Sequence, residues 1–131
     1  MKLNVELPKI EDVAVAQELP QSSFKGAFAH TDFNTRQPTG LWRSAINKYN
    51  SELDKQEWIT LGRFKCEHLA AYVFTVHALC SLEDETVLAA IEGNDNLNPD
   101  ATELAKWRKR SPLNIKREHE AHARLAELTA A

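Results

Sequence analysis

Hydrophobic residues recur at helical spacing along most of the chain after residue 38. Thr39 is a suitable N-cap, and the apolar positions between residues 41 and 53 lie mostly three or four apart, with polar residues between them. Residues 57–80 show the same spacing and become apolar nearly all round in their second half. This pattern predicts two helices, and the second has the character of a buried central helix.

Capping signals predict three further helices. Sequences resembling capping boxes begin at Ser81 and at Asp100, and we expect the helix after Ser81 to end at Gly93. The helix after Asp100 is expected to close at Ser111, and Asn114 to cap a last helix that runs to about residue 129. Together these signals predict an all-α fold, an irregular bundle of about five helices.

The first 38 residues have a different character. Residues 2–7 alternate polar and apolar, residues 11–19 are compatible with a short helix, and residues 20–40 show no period. We therefore expect an extended or irregular N-terminal arm over residues 1–38 and a helical body over residues 39–131. The arm carries Phe24, Phe28 and Phe33, which either anchor it on its own core or bind a partner.

Composition narrows the class of protein. Hydrophobic residues make up 43% of the chain and charged residues 27%, which excludes a wholly disordered chain and a disulfide scaffold. The longest apolar run, residues 69–80, is too short to span a bilayer. Since Cys66 and Cys80 are too far apart on one predicted helix to pair, and no apolar leader opens the chain, we expect a soluble, cytoplasmic protein.

Charge is distributed unevenly along the chain. The net charge is −3 overall, but residues 1–99 carry −5 and residues 100–131 carry +2. Residues 106–117 contain six basic side chains and no acidic one: Lys106, Arg108, Lys109, Arg110, Lys116 and Arg117. This segment is a candidate for binding nucleic-acid phosphates or an acidic protein partner. The alternative is a solvated face whose cations complement a helix dipole.

A second candidate site combines Arg63 and His68. An arginine and a histidine separated by four residues in a small all-α protein resemble the motif of the HEPN ribonucleases. In that family, the histidine and arginine of paired helices act on the RNA backbone as acid or base and as phosphate stabiliser, so the resemblance implies a ribonuclease. Arg117 and His122 fit the same spacing. The alternative is a partly exposed His68 beside Tyr72, with Arg63 on the surface.

Other chemistries are not favoured. His119 and His122 lie one turn apart on a predicted helix, but the spacing nominates no third metal ligand. The four glycines are scattered and form no phosphate loop, and neither cysteine has a histidine arranged to activate it. We therefore expect no catalytic residues, no metal and no cofactor.

These observations favour a small non-enzymatic binding protein: an adaptor, regulator or inhibitor of a larger protein assembly. It is expected to act through the N-terminal arm and the basic segment 106–117. The partner we expect is a protein, and no contact with a membrane is expected. The first alternative is a nucleic-acid-binding regulator that uses residues 106–117, and the second is a HEPN-like ribonuclease. A homodimer through the amphipathic segment 41–53 is a further option.

Overall fold

A computed structural model describes residues 24–92, 94 and 97–130. Within these residues the chain forms a three-stranded antiparallel sheet followed by four helices. The elements are β1 (Ala27–Thr31), β2 (Pro38–Asn50), β3 (Lys55–Phe64), α1 (Glu67–Ser81), α2 (Asp84–Ile91), α3 (Ala101–Arg110) and α4 (Pro112–Thr129). The protein is a mixed α and β fold, and the prediction of an all-α bundle of about five helices is wrong.

The helix predicted over residues 41–53 is strand β2 for most of its length. Trp42 and Ile46 lie four residues apart, a spacing that fits one face of a helix and also one face of a strand. The residue between them on that face, Ser44, is polar but fully buried, and its hydroxyl donates to the carbonyl of Ala70 in α1 at 2.7 Å. Because Ser44 is polar, the sequence does not show the alternation of this strand. Since residues 41–50 form a strand, the segment 41–53 cannot supply the helical dimer interface that its amphipathic pattern predicts.

The long helix predicted over residues 57–80 divides into β3 and α1. β3 carries one extra residue, Leu61, because Ser44 pairs with Gly62 while Ala45 pairs with Thr60. The chain then turns at Cys66, the N-cap of α1. The second half of the prediction is confirmed, since α1 is central and eight of its fifteen residues are buried.

Local capping signals gave mixed results. Asp100 caps α3 as predicted, and its carboxylate accepts hydrogen bonds from the backbone N–H groups of Thr102 and Glu103. Helix α2 begins after Glu83 without a side-chain cap, and Gly93 lies outside the described residues. Helix α4 begins at Pro112 with Ser111 as its cap, whereas Asn114 donates to the carbonyl of Trp107.

The sheet includes part of the segment predicted as an irregular arm. β1 and the first residue of β2 lie within residues 27–38, so this portion is regular structure. The alternating residues 2–7 and the helix predicted over residues 11–19 lie outside the described part of the chain.

Helix α1 lies between the sheet and α4. Its sheet-facing side contacts all three strands, and Phe74 and Ala78 pack against Ile46 of β2. The opposite side packs against α4, where Ala121 is fully buried. Since α1 covers only one face, the other face of the sheet carries exposed side chains, including Trp58 at 57% exposure. We call these the inner and outer faces.

Gly26 is the position at which the chain enters the sheet. It has φ +82°, and a Cβ atom there would lie 2.0 Å from Cγ of Phe74. Gly40 has nearly the same φ, +83°, but open space around it. We predict that Gly40→Ala costs about 1 kcal/mol from backbone strain alone, whereas Gly26→Ala costs about 3 kcal/mol because overpacking is added.

The two variants form a matched pair that urea unfolding compares directly. Equal losses of stability would show that Phe74 does not pack over Gly26 as described.

Candidate functional site

The three phenylalanines of the predicted partner-binding set lie in different environments. Phe24 is half-buried, packs against the core and contacts the ring of His68 at a centroid distance of 4.7 Å. Phe28 lies on the outer face of the sheet and is 38% exposed. Phe33 lies in the connection between β1 and β2 and is 93% exposed. Phe24 and Phe28 line one pocket, and Phe33 does not contribute to it.

This pocket has a volume of about 710 Å³ and lies where the sheet meets α2. Its lining is mainly apolar and includes Phe28, Ala45, Ile46, Trp58, Phe74 and Leu82. The volume lies within the range of sites that hold small ligands or several side chains of a peptide. We call it the edge pocket, since it lies along β1 and the adjoining residues 45–47 of β2.

The edge of β2 at this pocket is open in the described structure. β1 pairs with β2 from Pro38 to Ser44, and one further bond joins the Ala45 N–H to the Gly26 carbonyl at 3.0 Å. The chain then leaves the edge at Lys25, whose backbone exchanges two hydrogen bonds with the side chain of Asn94.

Backbone hydrogen-bonding groups alternate in direction along β2, which shows which of them point to the open side beyond Ala45. Because the N–H of Ala45 points toward β1, the backbone groups of Asn47 and Tyr49 point to the same side. Those of Ile46 and Lys48 point toward β3, with which both residues pair. No described strand pairs with β2 on the open side beyond Ala45.

The outer face beside the pocket carries an aromatic pair and two arginines. Phe28 and Trp58 meet edge to face, with ring centroids 5.5 Å apart. The guanidinium of Arg43 lies 5.7 Å from the centroid of Phe28 and donates to Oγ1 of Thr60. Arg63 is the direct cross-strand partner of Arg43. Periodicity and spacing in the sequence do not reveal this arrangement, because it depends on strand register.

The arginines of the predicted basic segment are partly engaged in the fold. Arg108 donates two hydrogen bonds to the nearly buried carboxylate of Glu118, one of them from Nε at 3.0 Å. Arg110 lies 5.7 Å from the ring centroid of Phe64. Such contacts tie α3 to α4 and to the end of β3, which gives these two arginines a structural role. Three lysines remain exposed: Lys106, Lys109 and Lys116.

Arg117 has a separate partner in the central helix. Its guanidinium contacts Nδ1 of His77 at 3.4 Å. Burial, together with the positive charge of Arg117, lowers the pKa of His77 to about 4. This histidine is therefore neutral near pH 7.

The motif resembling that of the HEPN ribonucleases is not formed. Arg63 lies in β3 and His68 in α1, so the two residues do not share a helix, and His68 packs on Phe24. The second match lies on α4, but Arg117 contacts His77, and Nε2 of His122 is 3.2 Å from the hydroxyl of Tyr72. Among the described residues, no group of three or more His, Cys, Asp or Glu is arranged to hold a metal ion.

Comparison with known proteins identifies no relative. No family model, no curated protein and no solved structure matches the chain. None of the described helices combines the length and hydropathy required to cross a membrane.

The low pKa of His77 predicts a specific pH dependence of stability. Below pH 6.5 the unfolded chain protonates this ring, while the folded chain resists protonation down to about pH 4. The free energy of unfolding should therefore fall as the pH is lowered across this interval. We expect a loss of about 1–2 kcal/mol, a modest value because water partly screens the ring. We expect His77→Gln to remove that part of the acid destabilisation in urea titrations from pH 7 to 4. His119→Gln, at an exposed position on α4, should keep the wild-type profile; if both variants keep it, His77 is not the titrating group.

Proposed function

We propose that this chain is a non-enzymatic binding protein that captures an extended, apolar segment of a protein partner at the edge pocket. The observation that carries the proposal is the coincidence of an open strand edge with an apolar pocket beside it. Asn47 and Tyr49 supply backbone donors and acceptors, and Phe28, Ile46 and Phe74 line the space next to them. An added strand uses both features at once.

The pairing chemistry favours a strand over other shapes of ligand. An extended peptide aligned with β2 would alternate its backbone bonds between the open edge and solvent. Every second side chain of that peptide would point to the inner side, where Ile46 and Phe74 line the pocket, and apolar residues at those positions would lose contact with water. A helical segment satisfies its own backbone groups and leaves those of β2 unpaired.

The proposal keeps part of the expectation from the sequence and changes the rest. Phe24 and Phe28 remain partner-binding candidates, whereas Phe33 lies outside the pocket. The basic segment 106–117 stays an untested alternative surface for nucleic acid or an acidic partner. A cytoplasmic location also stays a prediction.

Peptide selection tests this proposal on the full chain. A displayed library of random peptides should yield binders with apolar residues at alternate positions. Thr86→Trp, which fills the pocket from an exposed position on α2, should weaken their binding at least tenfold in fluorescence titrations. Leu88→Trp, at a 45% exposed position of the same helix outside the pocket lining, is the matched control and should bind as the wild type does.

Backbone methylation of a selected peptide distinguishes strand addition from simple apolar contact. N-methyl groups at alternate amides should abolish binding in one register and leave it nearly intact in the other, because only one set of amides faces β2. Failure to select any binder, or binders insensitive to Thr86→Trp and to both methylation registers, would overturn the proposal.

A further inference from the structure

Two arginines stand directly opposite each other on the outer face. Arg43 of β2 pairs in register with Arg63 of β3. The backbone of Arg43 points toward β1, so this is a non-hydrogen-bonded pair with respect to β3, in which Cα atoms approach to about 4.5 Å. Like charges in such a pair repel and destabilise the sheet.

Nothing in the described structure neutralises this pair. The ion pairs found there join Arg108 to Glu118 and Arg124 to Asp84, at other positions in the fold. Arg43 is held in place by the ring of Phe28 and by Thr60, neither of which carries a charge. The side chain of Arg63 is exposed. The sheet thus carries two arginines at directly paired positions, and neither belongs to the ion pairs of the described residues.

Away from the arginine pair, the outer face carries exposed aromatic side chains. Moving along it from the arginines, register places Thr60, Asn47 and Trp58 on this face, and Tyr49 lies at its far end. Trp58 is 57% exposed and Tyr49 is 51% exposed. Asp54, in the β2–β3 turn, accepts the hydroxyl hydrogen bond of Tyr49 at the far end of this row. Aromatic surface therefore extends away from the cationic pair.

We propose that the outer face binds single-stranded nucleic acid, with two neighbouring backbone phosphates at Arg43 and Arg63 and a base stacked on Trp58. Guanidinium groups recognise phosphate oxygens through paired hydrogen bonds, and a bound anion removes the repulsion between the two arginines. Exposed aromatic rings beside cationic groups are the elements with which proteins bind unpaired bases without sequence preference.

The combination favours a single strand over the other polyanions. In a duplex the bases are stacked on one another, so Trp58 would be left without a base. A phosphorylated peptide would satisfy the arginines but not account for the aromatic surface beside them. The two proposed surfaces share Phe28 and Trp58, which line the edge pocket, but Arg43 and Arg63 do not line it, so Arg63→Gln separates nucleic-acid binding from peptide capture.

Fluorescence anisotropy with labelled 12-nucleotide oligo-U and oligo-dT, a duplex of equal length and inorganic polyphosphate tests the proposal on the full chain. We expect both single strands to bind more tightly than the duplex and polyphosphate, with a salt slope near −1.4 for two phosphate contacts. Arg63→Gln should reduce that slope to about −0.7 and lower affinity roughly eightfold at 50 mM salt. Trp58→Leu should lower affinity at least fivefold.

A second measurement separates binding from folding. Without nucleic acid, Arg63→Gln should raise the urea midpoint, because it removes the repulsion with Arg43. A residue with a merely structural role would lower both stability and affinity. The double variant Lys106→Gln/Lys109→Gln is the control, since it removes two exposed charges from the basic segment and should leave the affinity close to that of the wild type.

Three outcomes would overturn the proposal. One is equal affinity for single strand and duplex, and another is a loss of affinity in the double lysine variant but not in Arg63→Gln. The third is the absence of oligonucleotide binding, whether or not polyphosphate binds.

Discussion

The burial of α1 is the constraint on which the rest of the structure depends. This helix is apolar around nearly its whole circumference, and such a helix must be covered on every side. The inner face of the sheet covers one side of α1, and α4 covers the opposite side. The buried hydroxyl of Ser44, bonded to the carbonyl of Ala70, links the sheet to the helix where polar groups would otherwise be unsatisfied.

Covering α1 in this way leaves two parts of the sheet available. Gly26 lies against Phe74 where the chain enters β1. Lys25, the residue before Gly26, forms its backbone hydrogen bonds with the side chain of Asn94 and not with β2. Among the described residues, no strand consequently pairs with the second half of β2 on the side of the edge pocket. The outer face bears the aromatic pair and the arginine pair, and Trp58 and Tyr49 are exposed there in the part of the chain that the structure describes. The same packing arrangement thus produces both proposed binding surfaces.

Features set by local interactions were predictable from the sequence, and features set by strand pairing were not. The Asp100 cap follows from neighbouring residues at the start of one helix, and it is confirmed. The β2–β3 hairpin was missed because Trp42 and Ile46 satisfy helical and strand periods alike. Phe24 and Phe28 stood out as aromatic residues in an aperiodic segment, whereas the apposition of Arg43 and Arg63 exists only through register.

Amide hydrogen exchange of the isolated full chain, resolved residue by residue by NMR, tests the central claim most directly. The backbone N–H groups of Ile46 and Lys48 point toward β3, and those of Asn47 and Tyr49 point toward the open edge. The first two amides should therefore exchange at least a hundredfold more slowly than the other two. Alternation of fast and slow amides along one strand would establish the free edge. Equal protection of all four amides would contradict the account, since β2 would then already be paired on both sides.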